Sequence, residues 1–353
     1  MRLHPARAAG LLRAPWTPAW AKDELSRRAR AVPSLDLRFA ENKSLVDSVS
    51  GQNLITFTRA STGTYVDSDG VIRSAANDVP RFNHNPLTGE CLGLLVEEQR
   101  QNLLLNSATL STQTVTVTAV AHTLSFYGTG TVTLSGTSTA GPLVGTAANS
   151  RVSLTFTPTA GSLTLTVSGS VTNANLEIGS FATSWIPTTG TAATRTADVA
   201  SITGTNFSSW YRQDEGTLFA DVANIQNGGR YFMFDNGASI TERWETRFSS
   251  FLAAGNSWSN NVQDVSINTS LAPAPPALNV RVAFANASNA AAIASNGAGA
   301  LLGTDSSSTM PANQTRMFIG SFQGTATYAN GPIRRITYFP QRLPNSTLQS
   351  ITQ

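Results

Sequence analysis

Residues 171–198 read VTNANLEIGSFATSWIPTTGTAATRTAD, and the fold turns on how this stretch divides. Over residues 173–186 the apolar Leu176, Ile178 and Phe181 are set among Glu177 and Ser180, the pattern of a closing β-strand and its exit corner. Pro187 has no N–H to donate and a fixed φ, so pairing is expected to stop there. Residues 188–196 are small and polar, with one Gly and two Ala, the composition of a linker between packed units. The expectation is two β-rich bodies, one on each side of Pro187, behind a leading arm.

Composition agrees with that division. A chain of 353 residues has room for two or three domains. Hydrophobic residues make up 41%, enough for cores, whereas charged residues make up only 13%, about half the usual share. Thr, Ser, Gly, Ala and Asn fill the difference, which suits sandwiches with polar, weakly charged faces and not long surface helices. Residues 1–30 hold seven Arg or Lys against two acids, leaving seventeen against nineteen in the rest. The formal charge of +3 therefore belongs to the arm and not to the body. Cys91 is the single cysteine, so no intrachain disulfide can form and packing must hold the fold. No run of about 18 apolar residues is present, so no membrane insertion is expected. Gly10, Leu11 and Leu12 are hemmed in by Arg7, Arg13 and Pro15, so no secretory leader is expected either.

Four segments follow. Residues 1–33 are a basic arm, with Thr17-Pro18 as a helix start and Ala21, Leu25, Ala29 and Val32 at helical spacing. Trp16 and Trp20 are costly to leave in water, so the arm is expected to anchor on another protein through Trp16, Trp20, Leu25, Arg27 and Arg28. Residues 34–110 are β-rich and lead into the first sandwich, with an Asp69-Gly70 hairpin and a buried strand over residues 92–96. Residues 111–198 alternate Val, Leu and Phe with Thr and Ser between Gly-rich turns, which predicts a jelly roll and its linker. Residues 199–353 repeat the pattern as a second sandwich, with hairpins at Asn236-Gly237 and Asn296-Gly297 and a final short helix carrying Leu348 and Ile351. The fold class is all-β: two antiparallel sandwiches in tandem.

Little in the text points to catalysis. The three histidines, His4, His84 and His122, are not at metal-ligand spacing, so no metal or other cofactor is expected. Glu242 and Glu245 are three apart, so on a strand they face opposite ways, and Glu97-Glu98 fails the same test. The dispersed arginines of the arm carry no groove-reading motif, so no nucleic acid is expected as a partner. Saccharide binding uses aromatic faces beside amides. Trp185, Trp210, Tyr211, Trp244 and Trp258 are the candidates, with Trp258 singled out because Asn260 and Asn261 follow it in what reads as a loop. The opposing reading puts these aromatics in sandwich cores.

Several segments resemble virion proteins of tailed bacteriophages. These are ITFTRASTGTYVDSDGVIRSA (55–75), PRFNHNPLTGECLGLLVEEQRQNLL (80–104) and LEIGSFATSWIPTTG (176–190). TLSFYGTGTVTLSGT (123–137) and RVSLTFTPTAGSLTLTVSGSV (151–171) resemble a carbohydrate-binding-module-like jelly roll. GTLFADV (216–222) with IRRITYFPQRLPNSTLQSIT (333–352) resembles a concanavalin A or laminin-G-like sandwich. The resemblance spans about residues 35–353 and implies a fibre, spike or minor structural protein of the particle, assembled in the host cytoplasm. Its implied partners are portal, capsid or tail subunits, itself as a homotrimer, and host-surface polysaccharide. A decoration protein touching only virion subunits, and a polysaccharide depolymerase, remain as alternatives.

Overall fold

Thr and Ser alternating with Val, Leu and Phe do give paired strands. The computed structural model describes residues 23–223, 226, 228–238, 241–249, 252–270, 279–295 and 301–353. It is all-β, with every sheet pairing antiparallel and short helices at the margins. The smaller sandwich faces a four-stranded sheet (Leu143–Val144, Thr131–Gly136, Gly161–Ser168, Gln113–Val117) against a three-stranded one (Ala147–Phe156, His122–Gly128, Val171–Ile178). Val132, Leu134, Leu163 and Leu165 of one sheet meet Leu124, Phe126, Phe156 and Leu176 of the other in a single core. The larger sandwich packs an eight-stranded sheet on a seven-stranded one, with Phe232, Phe234, Trp244, Phe284 and Ile336 among its core residues.

The division differs from the one expected. Residues 34–110 do not simply lead into the first sandwich; most of their strands complete the second. Leu35–Leu37 pairs with Gly331–Phe339, which also pairs with Cys91–Val96, and Phe82–His84 pairs with Cys91–Val96 in turn. Thr56–Thr58 joins the opposite sheet through Val199–Thr203. The jelly roll is thus inserted into the larger sandwich, not placed ahead of it. Gly93 shows how tightly these strands are woven: its φ is +105°, and a Cβ there would sit 2.0 Å from the Ile333 carbonyl oxygen.

Residues 188–196 are likewise not a free linker. Ala193–Arg195 pairs with Arg100–Asn102, so the outgoing and returning chains form a two-stranded neck. Pairing of the preceding strand already ends at Ile178, well before Pro187, and the corner between them folds back on that strand's own sheet. Thr183 donates through its N–H and hydroxyl to Glu177, and Asn175 bonds Ser184 and Ile186.

At the neck lies a buried ion cluster. Asp198 accepts from Arg59 (3.0 Å) and Arg81 (2.5 Å), and Glu97 from Arg81 (2.9 Å) and Arg195 (3.0 Å). All five side chains are at most 4% exposed. Isolated charges could not be buried this way; pairing and additional hydrogen bonds make it tolerable. Arg59 also donates to the carbonyls of Ala76 and Val79, so residues from both sides of the insertion converge here.

The leading segment packs on its own chain. Helix Glu24–Ala29, capped by Asp23, buries Leu25 and Ala29 against Leu348 and Ile351 of the last helix, Asn345–Ile351. Asp23 and Asp36 share the guanidinium of Arg335. The expected anchoring role of Leu25 is therefore corrected: its side chain is spent inside the fold. Arg27 and Arg28 are exposed and pair with Glu24. Trp16 and Trp20 lie outside the described residues, as does the Asn296-Gly297 turn. The Asp69-Gly70 turn forms, but only Gly70 takes a positive φ (+75°), and the Asp67 carboxylate accepts from the N–H groups of Asp69 and Val71.

Candidate functional site

The aromatic residues singled out in the sequence separate into two groups. Trp210, Tyr211 and Trp244 join Phe207, Phe232, Phe234 and Tyr338 in one aromatic cluster inside the larger sandwich. Trp244 is fully buried and donates from its indole N–H to the Tyr211 hydroxyl at 3.1 Å. Burial pushes the Tyr211 hydroxyl well above its usual pKa. Trp210 and Trp244 are core and Tyr211 packs partly buried against it, so all three are corrected as saccharide ligands. Trp244 takes an inward-facing position of strand Arg243–Ser249, whereas Trp210 and Tyr211 follow the short helix Gly204–Ser208 and pack onto the cluster from there.

Trp258 is the exception. It lies in strand Leu252–Ser259, not in a loop, and is half-buried on the outer face of the seven-stranded sheet under the guanidinium of Arg243. Asn260 and Asn261 form the turn that follows, with φ of +51° and +65°, a conformation Asn tolerates better than most residues. Their positions are accounted for by the turn.

A site that the sequence does not announce lies where the sandwiches meet. A cleft of about 210 Å³ is lined by Tyr65, Asn83, Tyr127, Arg151, Trp185 and Gln226, among others. Each comes from a different segment. Tyr65 is on the hairpin Gly63–Val66 with Ile72–Ala75. Tyr127 and Arg151 are opposite each other on the outer face of the three-stranded sheet, because Phe126 and Leu124 face inward. The Arg151 guanidinium lies 5.9 Å from the Tyr127 ring centroid and donates to the Thr183 carbonyl and the Ser125 hydroxyl. Trp185 is fixed by its indole N–H to the Ser107 hydroxyl at 3.1 Å and by Thr64, which donates to its carbonyl. Asn83 accepts from the Val66 N–H at 2.8 Å, which orients its amide.

Among the described residues the cleft holds rings, amides and a cation but no free carboxylate. Glu97, in its wall, is committed to Arg81, Arg195 and Ser184. Burial opposes its ionisation, yet Arg195 and Arg81 hold its pKa down to about 2, so it is no proton donor near neutrality. Glu242 caps the N–H groups of Asn260 and Ala312, and Glu245 is paired with Arg230. His84 and His122 are both buried. No group of three His, Cys, Asp or Glu side chains converges to hold a metal among the described residues. A wider groove of about 640 Å³ runs along the neck past Arg100, Leu103 and Ile178, but no aromatic ring lines it.

Neither a family model nor a curated protein matches the chain. Solved structures with similar parts include the CBM40 domain of the Ruminococcus gnavus IT-sialidase bound to α2,6-sialyllactose. It is 12% identical over 40% of this chain and 85% of that one, with a TM-score of 0.34. The LG4-5 domains of mouse laminin α1 match at 6% identity over 71% and 95%, with a TM-score of 0.29. A GH54 α-L-arabinofuranosidase matches at 10% identity over 93% and 64%, with a TM-score of 0.35. These likenesses are to sandwich proteins and carry no argument about function; the all-β architecture stands on the strand pairing described above.

The sequence missed the cleft because its parts are far apart: Tyr65 and Gln226 are separated by more than 150 residues. A partial signal was present. Tyr127 and Tyr65 are bulky, partly exposed residues at strand positions whose neighbours on either side are buried.

Proposed function

We propose that the chain is a non-enzymatic, saccharide-binding structural protein of a tailed-phage particle. The observation that carries the binding role is the cleft between the sandwiches. Tyr65, Tyr127 and Trp185 supply ring surface there, Asn83 and Gln226 supply amides, and every nearby carboxylate is already engaged. Aromatic surface binds the apolar face of a sugar ring while amides take its hydroxyls, and a cleft of this size suits one ring at a time.

The particle setting is supported by the resemblance of residues 55–75, 80–104 and 176–190 to virion segments. In this reading Trp16 and Trp20 dock the protein on a portal, capsid or tail subunit, and three copies assemble around a common axis. Host-surface polysaccharide is the ligand. Two experiments test the two halves. Retention of the purified intact chain on immobilised host polysaccharide is expected, and free passage through the column would leave a decoration role in its place. Antibody labelling of intact particles by electron microscopy is expected to mark discrete positions on each particle, and unlabelled particles would remove the virion assignment.

A further inference from the structure

The outer face of the seven-stranded sheet carries a second arrangement that the cleft reading does not use. On strand Arg243–Ser249, Trp244 and Phe248 face the core, so Arg243, Glu245 and Arg247 face outward. Register sets Arg243 opposite Trp258, Glu245 opposite Asn256, and Arg247 opposite both Ala254 and Arg230. Three guanidiniums thus surround one carboxylate. Glu245 gives both its oxygens to Arg230, at 2.7 and 3.1 Å. The Arg243 guanidinium carbon lies 3.4 Å from the Trp258 ring centroid. Arg247 makes no ion pair with a described residue, and like charges directly opposite each other on adjacent strands are unfavourable. Beside them, Gln263, Ser266 and Asn268 are exposed on the edge strand Val262–Ser270, and Gln263 donates to Asn256 at 3.0 Å.

We infer that this face is a binding site for an acidic saccharide, a uronic-acid-type sugar whose carboxylate meets Arg247. Trp258 gives the ring a flat neighbour, and the exposed Gln263, Ser266 and Asn268 face its hydroxyls. Glu245 balances Arg230, and the anion offsets the charge left on Arg247 beside it. A nucleic acid fits less well. The residues after 30 hold seventeen basic against nineteen acidic side chains, too few cations to follow a phosphate backbone.

The inference does not rest on the cleft, and its test is separate. The intact chain is titrated with trigalacturonate, with maltotriose and with a deoxythymidine hexamer, at low and at physiological salt. Trigalacturonate is expected to bind at least tenfold more tightly than maltotriose, and less tightly as salt rises. Arg247→Gln is expected to remove at least tenfold of that affinity with an unchanged melting curve, and Gln263→Ala, on the exposed rim, a smaller part of it. Equal affinity for the acidic and neutral trimers, undiminished binding by both the Arg247→Gln and Gln263→Ala variants, or equally tight binding of the deoxythymidine hexamer would overturn the assignment.

Discussion

Asp198 holds two arginines at once, and at the scale of single residues it is the most exposed to substitution. Asp198→Asn would leave Arg59 and Arg81 buried with their shared counter-charge gone. Breaking a buried pair from one side costs about 3–5 kcal/mol, and a urea midpoint lowered to match is the expected result. Glu97 supplies a dependence on pH. Its pKa is about 2 in the fold against an ordinary 4.5, so its contribution is fully present above pH 4.5 and is lost as pH falls towards 2. Urea midpoints measured between pH 5 and pH 3 are expected to fall for the natural chain. The Glu97→Gln variant, less stable throughout, is expected to lose part of that slope.

At the scale of elements, helix Glu24–Ala29 acts as a strap across the last helix and the sheet beneath it. Leu25→Ala removes the largest side chain that this helix buries, and is expected to cost about 2–3 kcal/mol. Hydrogen exchange is expected to rise first at residues 24–31. Exchange rising equally across the larger sandwich would mean that the strap is part of the global unit. What could be read in advance follows the same scale. Strands showed themselves through alternation, because Val152, Leu154 and Phe156 or Val280, Val282 and Phe284 need only local sequence. The role of residues 34–110 did not, because Leu35–Leu37 finds its partner strand near residue 337 and nothing within the strand names that partner. Trp244 and Trp258 look alike in the sequence; only register, one inward and one outward, separates core from surface. The polar text of residues 188–196 suggested a linker, because a short strand that pairs across a neck and buries one Arg has the same composition as one that does not.

At the scale of the whole molecule, the larger sandwich is built from both ends of the chain with the jelly roll inserted through a two-stranded neck. A fragment of residues 199–353 lacks Leu35–Leu37, Thr56–Thr58, Phe82–His84 and Cys91–Val96, and is expected to show no cooperative thermal transition. A sharp transition from that fragment would show that those strands are dispensable. Insertion also explains why the cleft exists, since it brings the outer face of one sandwich against the hairpin edge of the other. The most direct measurement is calorimetric titration of the intact chain and its Tyr65→Ala/Tyr127→Ala variant with oligosaccharides cut from the host surface. The expected result is a Kd between about 1 µM and 1 mM, weakened at least tenfold in the variant, with no new reducing ends released. No binding, equal binding by the two proteins, or sugar cleavage by the intact chain would contradict it.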